Sequence, residues 1–191
     1  ASAIAEACMM SMHISKKSTI LYSEGLFDNY IEVMKTCLSG QNIEYIPIPL
    51  KNGITNIDFI YDKIDENIAS IIIQSPNKFG LIENLISIKK TLNKHNTLLI
   101  SSSNPIALSI LKTPKECGVD IYVGEGQSLG NPMNFGGPLL GIIAIKEKYK
   151  RMLPGRVVGK TIDRDGKEGY VLTLQTREQH IRRERATSNI C

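Results

Sequence analysis

Short apolar segments alternate along this sequence with segments of helical periodicity, and this alternation constrains the fold more than any other feature. Residues 69–74 read ASIIIQ, a β-branched run typical of a strand that is buried on both faces of a sheet. Comparable apolar runs occupy residues 18–23, 43–48, 97–101, 119–123 and 139–145. The pattern predicts an α/β domain built around a mostly parallel sheet.

Helical signals fill most of the intervals between these runs. Residues 2–14 carry small and apolar side chains at helical spacing. Asp28 can cap a helix that stops at Gly40. Asn56 or Asp58 opens the next helix, which is predicted to run to Glu66. Two more helices are predicted over 81–93 and 105–111, the second with a proline in its first turn.

The pattern changes after residue 146. Residues 156–162 and 170–176 are strand-like, and the DRDG sequence between them is typical of a turn, so a β-hairpin is predicted there. A very polar helix is predicted over 175–186. We therefore divide the chain into a core domain over 1–155 and a hairpin-and-helix region over 156–191.

The composition excludes several classes of protein. The 191 residues are 42% hydrophobic and 22% charged, which supports a folded core and argues against global disorder. No apolar run approaches the ~20 residues of a membrane span, and a net charge of +4 is too small to imply nucleic-acid binding. The four cysteines form no CxxC pair and the three histidines are far apart, so free thiols and no metal site are expected. The helix-like start and finish of the chain suggest a piece of a longer protein.

Loops that follow parallel strands carry the functional residues in sheets of this kind. Four such loops are predicted, at residues 24–27, 75–80, 102–105 and 124–137. The last is rich in glycine and reads GEGQSLGNPMNFGG. Its glycines have the spacing GxGxxxG rather than GxGxxG, and Pro132 disfavours the helix start that would hold a pyrophosphate. A tight structural loop and a ligand or interface loop both remain open.

A second polar signal is the run REQHIRRER, which includes Arg177 and His180. On a helix it forms i,i+4 ion pairs, so a solvated face is one interpretation. A face that binds an anion or another subunit is the other. No aromatic residue is interleaved with the basic ones, which argues against a nucleic-acid role.

Several long motifs make the chain resemble one enzyme family. They are PNKFGLIE (76–83), NPIALSILKTPKECGVDIYVGE (104–125), VGEGQSLGNPMNFGGPLLG (123–141) and the run from RMLPG to the carboxyl end (151–191). In these residues the chain resembles the glycine dehydrogenase (decarboxylating) family, the P-protein of the glycine cleavage system. The likeness is greatest to the amino-terminal half, or subunit 1 (alpha), and covers the whole chain.

The resemblance implies the aspartate-aminotransferase-like fold, fold type I of the pyridoxal phosphate (PLP) enzymes. Its large domain carries a mostly parallel seven-stranded sheet. The hairpin and helix of 156–191 would then lead to a small domain missing from this chain. The implied reaction is the decarboxylation of glycine on PLP, with transfer of the aminomethyl group to the lipoyl arm of the H-protein.

The resemblance also implies that this chain is the partner without cofactor. Gln127 stands where the catalytic half has its PLP lysine, Pro132 matches a proline of the same motif, and Asn104 stands where this half often has aspartate. The chain alone is expected to be inactive, with PLP bound by the catalytic subunit 2 (beta). The backbone amides of Gly136 and Gly137 are expected to point toward the partner's PLP phosphate or the lipoyl channel. The further interface candidates are Glu125, Gln127, Asn134, Arg177 and His180.

The implied assembly is an α2β2 complex that acts with the lipoylated H-protein, in the bacterial cytoplasm or, in a eukaryote, the mitochondrial matrix. Two other functions are compatible with the sequence. The chain could be a structural scaffold that adds no group to the site. It could instead be a nucleotide-binding oxidoreductase that uses the GEGQSLG loop, although the glycine spacing disfavours that.

Overall fold

The structure, a computed structural model, describes residues 1–93, 95–174 and 181. The chain divides into two compact units, Ala1–Lys146 and Glu147–Cys191. The boundary between a core domain and a hairpin region, predicted at residue 155, stays a prediction. Among the described residues, no helix is both long and apolar enough to cross a membrane. Cys8, Cys37 and Cys117 are free thiols, and Cys191 lies outside the described residues.

The described residues of the first unit form four α-helices and eight strands. The helices are α1 (Ser2–Ser15), α2 (Asp28–Cys37), α3 (Ile57–Lys63) and α4 (Leu85–Leu92). The strands are β1 (Thr19–Ser23), β2 (Glu44–Ile48), β3 (Leu50–Lys51), β4 (Ile54–Thr55), β5 (Ile68–Gln74), β6 (Leu98–Ser102), β7 (Ile121–Glu125) and β8 (Gly141–Ile145). Short 3₁₀ turns and loops connect them.

Six of these strands form one sheet in the order β2-β1-β5-β6-β7-β8. Five run parallel, while β8 is antiparallel to β7, with Glu125 opposite Gly141. The mostly parallel α/β sheet predicted from the sequence is confirmed. The described residues supply six strands of it, one fewer than the resemblance implies. The small hairpin β3–β4 was not expected, because each of its strands has only two residues.

Strand β5 forms the centre of the core, and all seven of its residues are buried. The isoleucines of its ASIIIQ run pack on both faces, which confirms the expected doubly buried strand. On one face Ile71 and Ile73 join a cluster with Ile60 of α3 and Ile88 of α4. A parallel strand covered on both sides places the polar residues that follow it at one edge of the sheet, where the loops meet.

Four predicted helices are shorter than expected. α2 ends at Cys37 rather than Gly40, with Phe27 instead of Asp28 at its N-cap, and α3 ends at Lys63 rather than Glu66. α4 begins at Leu85 rather than residue 81, because the Asn84 side chain accepts a hydrogen bond from Ser87 N and starts the helix there. The segment predicted as helix over 105–111 contains only a 3₁₀ turn at Ala107–Ser109. At α3 the cap is Asn56 rather than Asp58, since Asn56 accepts from Phe59 N.

The second unit contains the predicted hairpin, formed by β9 (Val157–Ile162) and β10 (Glu168–Thr173). Asp163 shapes the turn, since its side chain accepts hydrogen bonds from Asp165 N and Lys167 N. The polar helix predicted over 175–186 lies outside the described residues except for residue 181.

Candidate functional site

The carboxyl edge of the parallel strands surrounds a cavity of about 380 Å³, which we call the edge cavity. Each of the four loops predicted to carry function contributes to it, and helix α2 adds Tyr30. The lining residues are Phe27, Tyr30, Gln74, Pro76, Asn77, Ser102, Ser103, Asn104, Ala107, Glu125, Gln127 and Ser128. A cavity at this edge is the usual place for a ligand in a parallel α/β sheet.

Gln74, the last residue of β5, ties two of the loops together. Its Oε1 accepts a hydrogen bond from Phe27 N at 3.1 Å, and its Nε2 donates to Pro76 O at 3.3 Å. The Ser75–Pro76 peptide bond is cis. Because Gln74 is buried and both ends of its amide are engaged, it is a structural part of the cavity wall.

Asn77 and Glu83 anchor the second loop, residues 75–80, beside the cavity. The Asn77 Nδ2 group donates to Glu83 Oε1 at 2.9 Å and to Gly53 O at 2.8 Å. Glu83 is buried and its carboxylate also accepts from Thr55 N. A buried carboxylate is costly unless donors satisfy it, and here amide groups do so.

Glu125 fixes both ends of the glycine-rich loop. Its Oε1 accepts hydrogen bonds from Gln127 N at 3.0 Å and from Leu140 N at 2.7 Å. Gln127 in turn donates from Nε2 to Asn131 O at 2.8 Å, which closes the first part of the loop. Burial, and then the nearby charge of Glu125, raise the pKa of Tyr30 above its ordinary value.

Ser103 has a buried hydroxyl group without a hydrogen-bond partner. Its backbone is held on both sides, because Ser103 N donates to Val123 O and the Tyr122 hydroxyl donates to Ser103 O. Ser103 lines the edge cavity and also a second cavity of about 490 Å³ that Leu85 borders, and its Oγ atom has no partner. Next to it, Asn104 accepts a hydrogen bond from Ile106 N.

The glycine-rich loop presents apolar side chains to the exterior. Phe135 is fully exposed and has a φ of 50°, and Met133 is 79% exposed. Leu129, Leu139 and Leu140 are exposed as well. Isolated exposed hydrophobic residues are ordinary, but three on this loop and two directly after it are typical of an interaction surface.

The predicted phosphate donors lie at the tip of this loop, with φ angles of 91° at Gly136 and 73° at Gly137. The N–H of Gly137 already donates to Asn134 O at 2.7 Å. A phosphate contact from that amide would therefore require this bond to be exchanged. The same bond gives Asn134, a predicted interface residue, a role within the loop. Arg177 and His180 lie outside the described residues.

The structure brings Glu125 and Gln127 together at the cavity and places Gly136 and Gly137 on the loop beside it. Sequence reasoning missed Tyr30, Gln74 and Ser103. Gln74 and Ser103 did carry a signal, because each stands at the end of a strand predicted to be parallel. Tyr30 carried none, since it is one of many residues of helix α2.

The fold is that of the large domain of fold type I PLP enzymes. One solved neighbour is the O-acetylhomoserine (thiol)-lyase of Campylobacter jejuni, whose description includes a pyridoxyl-lysine phosphate. It aligns with a TM-score of 0.59 and 19% identity over 76% of this chain and 35% of that one. At this identity the likeness shows the fold alone.

The family follows from closer matches. The model of the glycine cleavage system P-protein family matches residues 1–191, so the chain belongs to that family. The probable glycine dehydrogenase (decarboxylating) subunit 1 of Desulforamulus reducens is 49% identical over all of this chain and 43% of its own length. A solved glycine decarboxylase (P-protein) in inhibitor-bound form has a TM-score of 0.92 and 36% identity, again over 100% of this chain and 43% of that one. The chain thus spans about two fifths of the length of these relatives.

The residues around the edge cavity do not fit PLP. Covalent attachment needs a lysine amine, but Gln127 has an amide that is already bonded to Asn131 O. None of the described residues that line the cavity is basic, so no side chain there would balance a phosphate. Asn104 is neutral and cannot offer the negative charge that pairs with a pyridinium nitrogen.

Proposed function

We propose that this chain is part of subunit 1 of a glycine decarboxylase complex and completes an active site whose PLP is held by a catalytic partner subunit. Family membership and the "subunit 1" in the relative's name support a complex with a second subunit. The observation that carries the proposal is the exposed apolar loop beside a cavity whose described lining residues include no lysine.

The complete enzyme would decarboxylate glycine and transfer the remaining aminomethyl group to the lipoyl arm of the H-protein, in an α2β2 assembly. The cofactor on the partner supplies the electron sink for that chemistry. This chain would form one wall of the active site. Its exposed apolar side chains, such as Met133 and Phe135, would exclude water at the interface, and the Gly136 backbone would approach the partner closely. The chain by itself would be inactive, and the complex would lie in the cytoplasm of a bacterium.

A scaffold that only stabilises the catalytic subunit is the second candidate. The engagement of the Gly137 amide within its own loop favours it, because that donor is not free for a ligand. The two candidates differ in what the loop tip does for activity.

Replacing Gly136 with valine separates them. The φ of 91° is strained for any β-branched residue, while an added Cβ would meet no atom within 4 Å, so the change alters the loop tip without disturbing packing. We expect Gly136→Val in the full-length subunit to abolish the glycine exchange activity of the reconstituted complex. Gly166→Val is the matched control, because Gly166 has a φ of 81° and equally open surroundings in the hairpin turn. Unimpaired activity of Gly136→Val would contradict the proposal and favour the scaffold.

A further inference from the structure

We propose that the second cavity binds a short-chain aliphatic carboxylate. The charged group of this ligand would meet serine hydroxyls and the start of helix α4, while its hydrocarbon part would pack on an apolar wall. The cavity has a volume of about 490 Å³ and lies on the face of the sheet that α4 covers. The proposal goes beyond the proposed function, because it involves neither PLP, glycine nor the partner subunit.

The alternation of side chains along β6 assigns the second cavity to one face of the sheet. Leu99 belongs to the core cluster beneath α4, and Ser101, two residues later, lines the second cavity. Ser102 faces the opposite way and lines the edge cavity instead. Ser103 continues the ladder, since its N–H donates to Val123 O. Its side chain therefore lies on the same face as that of Ser101, although the residue borders both cavities.

Three serine hydroxyls line the second cavity on this face. The register of β5 and β6 continues past the ends of the strands, because Ser75 N donates to Ser102 O, and it places Ser75 beside Ser103. Ser101 lies two residues before Ser103 on the same strand. Ser103 is only 7% exposed, and its Oγ atom has no hydrogen-bond partner. Buried hydroxyl groups normally have one, so this atom indicates a polar ligand in the cavity.

The start of helix α4 adds an amide donor to the lining. Glu83 N donates to Ser75 Oγ, which holds the start of the helix close to the serine hydroxyls. The amides of Leu85 and Ser87 are already bonded within the chain, whereas that of Ile86 has no acceptor among the described residues. The amino end of a helix carries partial positive charge, so this position favours a negatively charged oxygen.

The charged side chains of the lining favour an anion over a cation. Lys112 forms no ion pair with a described residue, and Glu116, the acid nearest to it in sequence, is bound by the N–H and hydroxyl groups of Thr113. Glu83 is the one acid of the described lining, and its carboxylate already accepts hydrogen bonds from amide groups. An ammonium group would thus find no available counterion, while a carboxylate would find Lys112.

Hydrocarbon side chains form the rest of the wall. Leu85, Leu108, Leu111 and Pro114 line the cavity, and apolar ligand surface buried against them is removed from water. Ile110 is 88% exposed at the rim, so the cavity opens to the exterior. The volume lies within the usual range for small-molecule sites, about 300–1,000 Å³. A carboxylate with a branched chain of about four or five carbons would fill this wall, whereas glycine would leave it uncovered.

Three probes test the proposal on the full-length subunit, with binding followed by calorimetry and by NMR. They are isovalerate, 3-methylbutylamine (the same skeleton with a cationic group) and acetate (the same charged group with a shorter chain). We expect isovalerate to bind with a Kd on the order of 1 mM. The other two should bind at least about tenfold more weakly, because the amine lacks a counterion and acetate buries less hydrocarbon.

Three results of these measurements would overturn the proposal. They are binding of the amine as tight as that of isovalerate, binding of acetate as tight as that of isovalerate, and no binding of isovalerate up to about 50 mM. The second would mean that any small anion is attracted, and the third that the rest of the subunit closes the cavity.

Ser103→Ala tests the hydroxyl group, and Ser102→Ala is the matched control on the opposite face of the sheet. Because the Ser103 hydroxyl has no protein partner, its removal is expected to leave the thermal midpoint of the subunit unchanged or slightly raised. Affinity for isovalerate should fall about threefold or more in Ser103→Ala and stay unchanged in Ser102→Ala. Equal losses in the two variants, or no loss in Ser103→Ala, would refute the assignment to the second cavity.

Lys112→Gln tests the cationic side chain, and Lys115→Gln is its control. Lys115 is exposed on the same segment but does not line the cavity. We expect Lys112→Gln to weaken isovalerate binding about threefold at low salt, and less at high salt, as for an exposed charge. The same loss in both variants would show unspecific attraction and contradict the proposal. No outcome depends on the activity of the complex, so the proposal can fail while the proposed function stands.

Discussion

Asp120 is a buried carboxylate that pairs with two lysines at the opposite edge of the sheet. Its carboxylate is 3% exposed and contacts Lys89 and Lys146, while Leu99 N donates to Oδ2 at 2.9 Å. Burial by itself would raise the pKa of Asp120, but the hydrogen bonds from Leu99, Lys146 and Lys89 outweigh it and hold the pKa below its ordinary value. Asp120 therefore contributes stability in its charged form.

This contribution has a definite pH dependence. A depressed pKa means that the stabilisation is complete above the ordinary value of 3.8 and is lost as the pH falls through the lower value of the folded state. We expect Asp120→Asn to lower the free energy of unfolding by about 2 kcal/mol at pH 7, because two lysines then share a neutral partner. The difference from the wild type should shrink only below pH 3.8, as urea denaturation at several pH values would measure.

The control for this prediction is Asp58→Asn. Asp58 pairs with Lys51 at 2.9 Å, but both side chains are more than half exposed. Such pairs contribute roughly 0–1 kcal/mol, so this variant should lie close to the wild type at every pH. If the two variants lost the same stability, burial of the Asp120 carboxylate would not be the cause.

At the scale of a single element, helix α4 depends on its amino-terminal cap. Asn84 accepts a hydrogen bond from Ser87 N at 3.0 Å. The residues before it are held in the loop, because Asn77 N donates to Leu81 O and Glu83 N donates to Ser75 Oγ. The helix thus begins directly after the residues whose amides are bonded within the loop, and Asn84 stands at that boundary.

Removing this cap should destabilise the first unit. We expect Asn84→Ala to cost about 1 kcal/mol in the free energy of unfolding, since the alanine side chain cannot accept a hydrogen bond from Ser87 N in the first turn. Asn84→Asp should retain most of the stability, because aspartate is an equally good cap. Chemical denaturation of the three proteins measures both effects. An alanine variant as stable as the aspartate variant would show that packing alone fixes the start of α4.

At the scale of the whole molecule, the loops that meet at the edge cavity decide what this chain can do with a cofactor. We expect PLP added to the isolated full-length subunit to produce no lysine-linked absorbance band, because Gln127 offers an amide and no basic residue of the described lining would hold the phosphate. Borohydride reduction followed by peptide mapping measures this. A single lysine labelled in stoichiometric yield would contradict the hypothesis that this chain does not bind PLP.

The α/β fold could be predicted from the alternation of apolar runs and helical segments, because each segment's preference depends on residues that are neighbours in sequence. β5 illustrates this, since a run of β-branched residues has the same preference for a buried strand wherever it is placed. The four loops at the carboxyl edge followed from the parallel arrangement. The length of the helix at 81–93 did not follow, because side chains of the preceding loop, Ser75 and Asn77, bind the amides of Glu83 and Leu81, and apolar periodicity carries no signal of such bonds.

By itself, the sequence determined the fold class, the family and the loops in which function would lie, because strand propensity, periodicity and long motifs are properties of neighbouring residues. Only the tertiary structure decided that β8 is antiparallel, that Gly137 is engaged with Asn134, and that Tyr30, Ser103 and Glu125 border one cavity. The bond between Gly137 and Asn134 is local but depends on the conformation that the loop adopts, while the other two features depend on which distant residues come together. That choice is made when the sheet assembles and brings residues 30, 103 and 125 together.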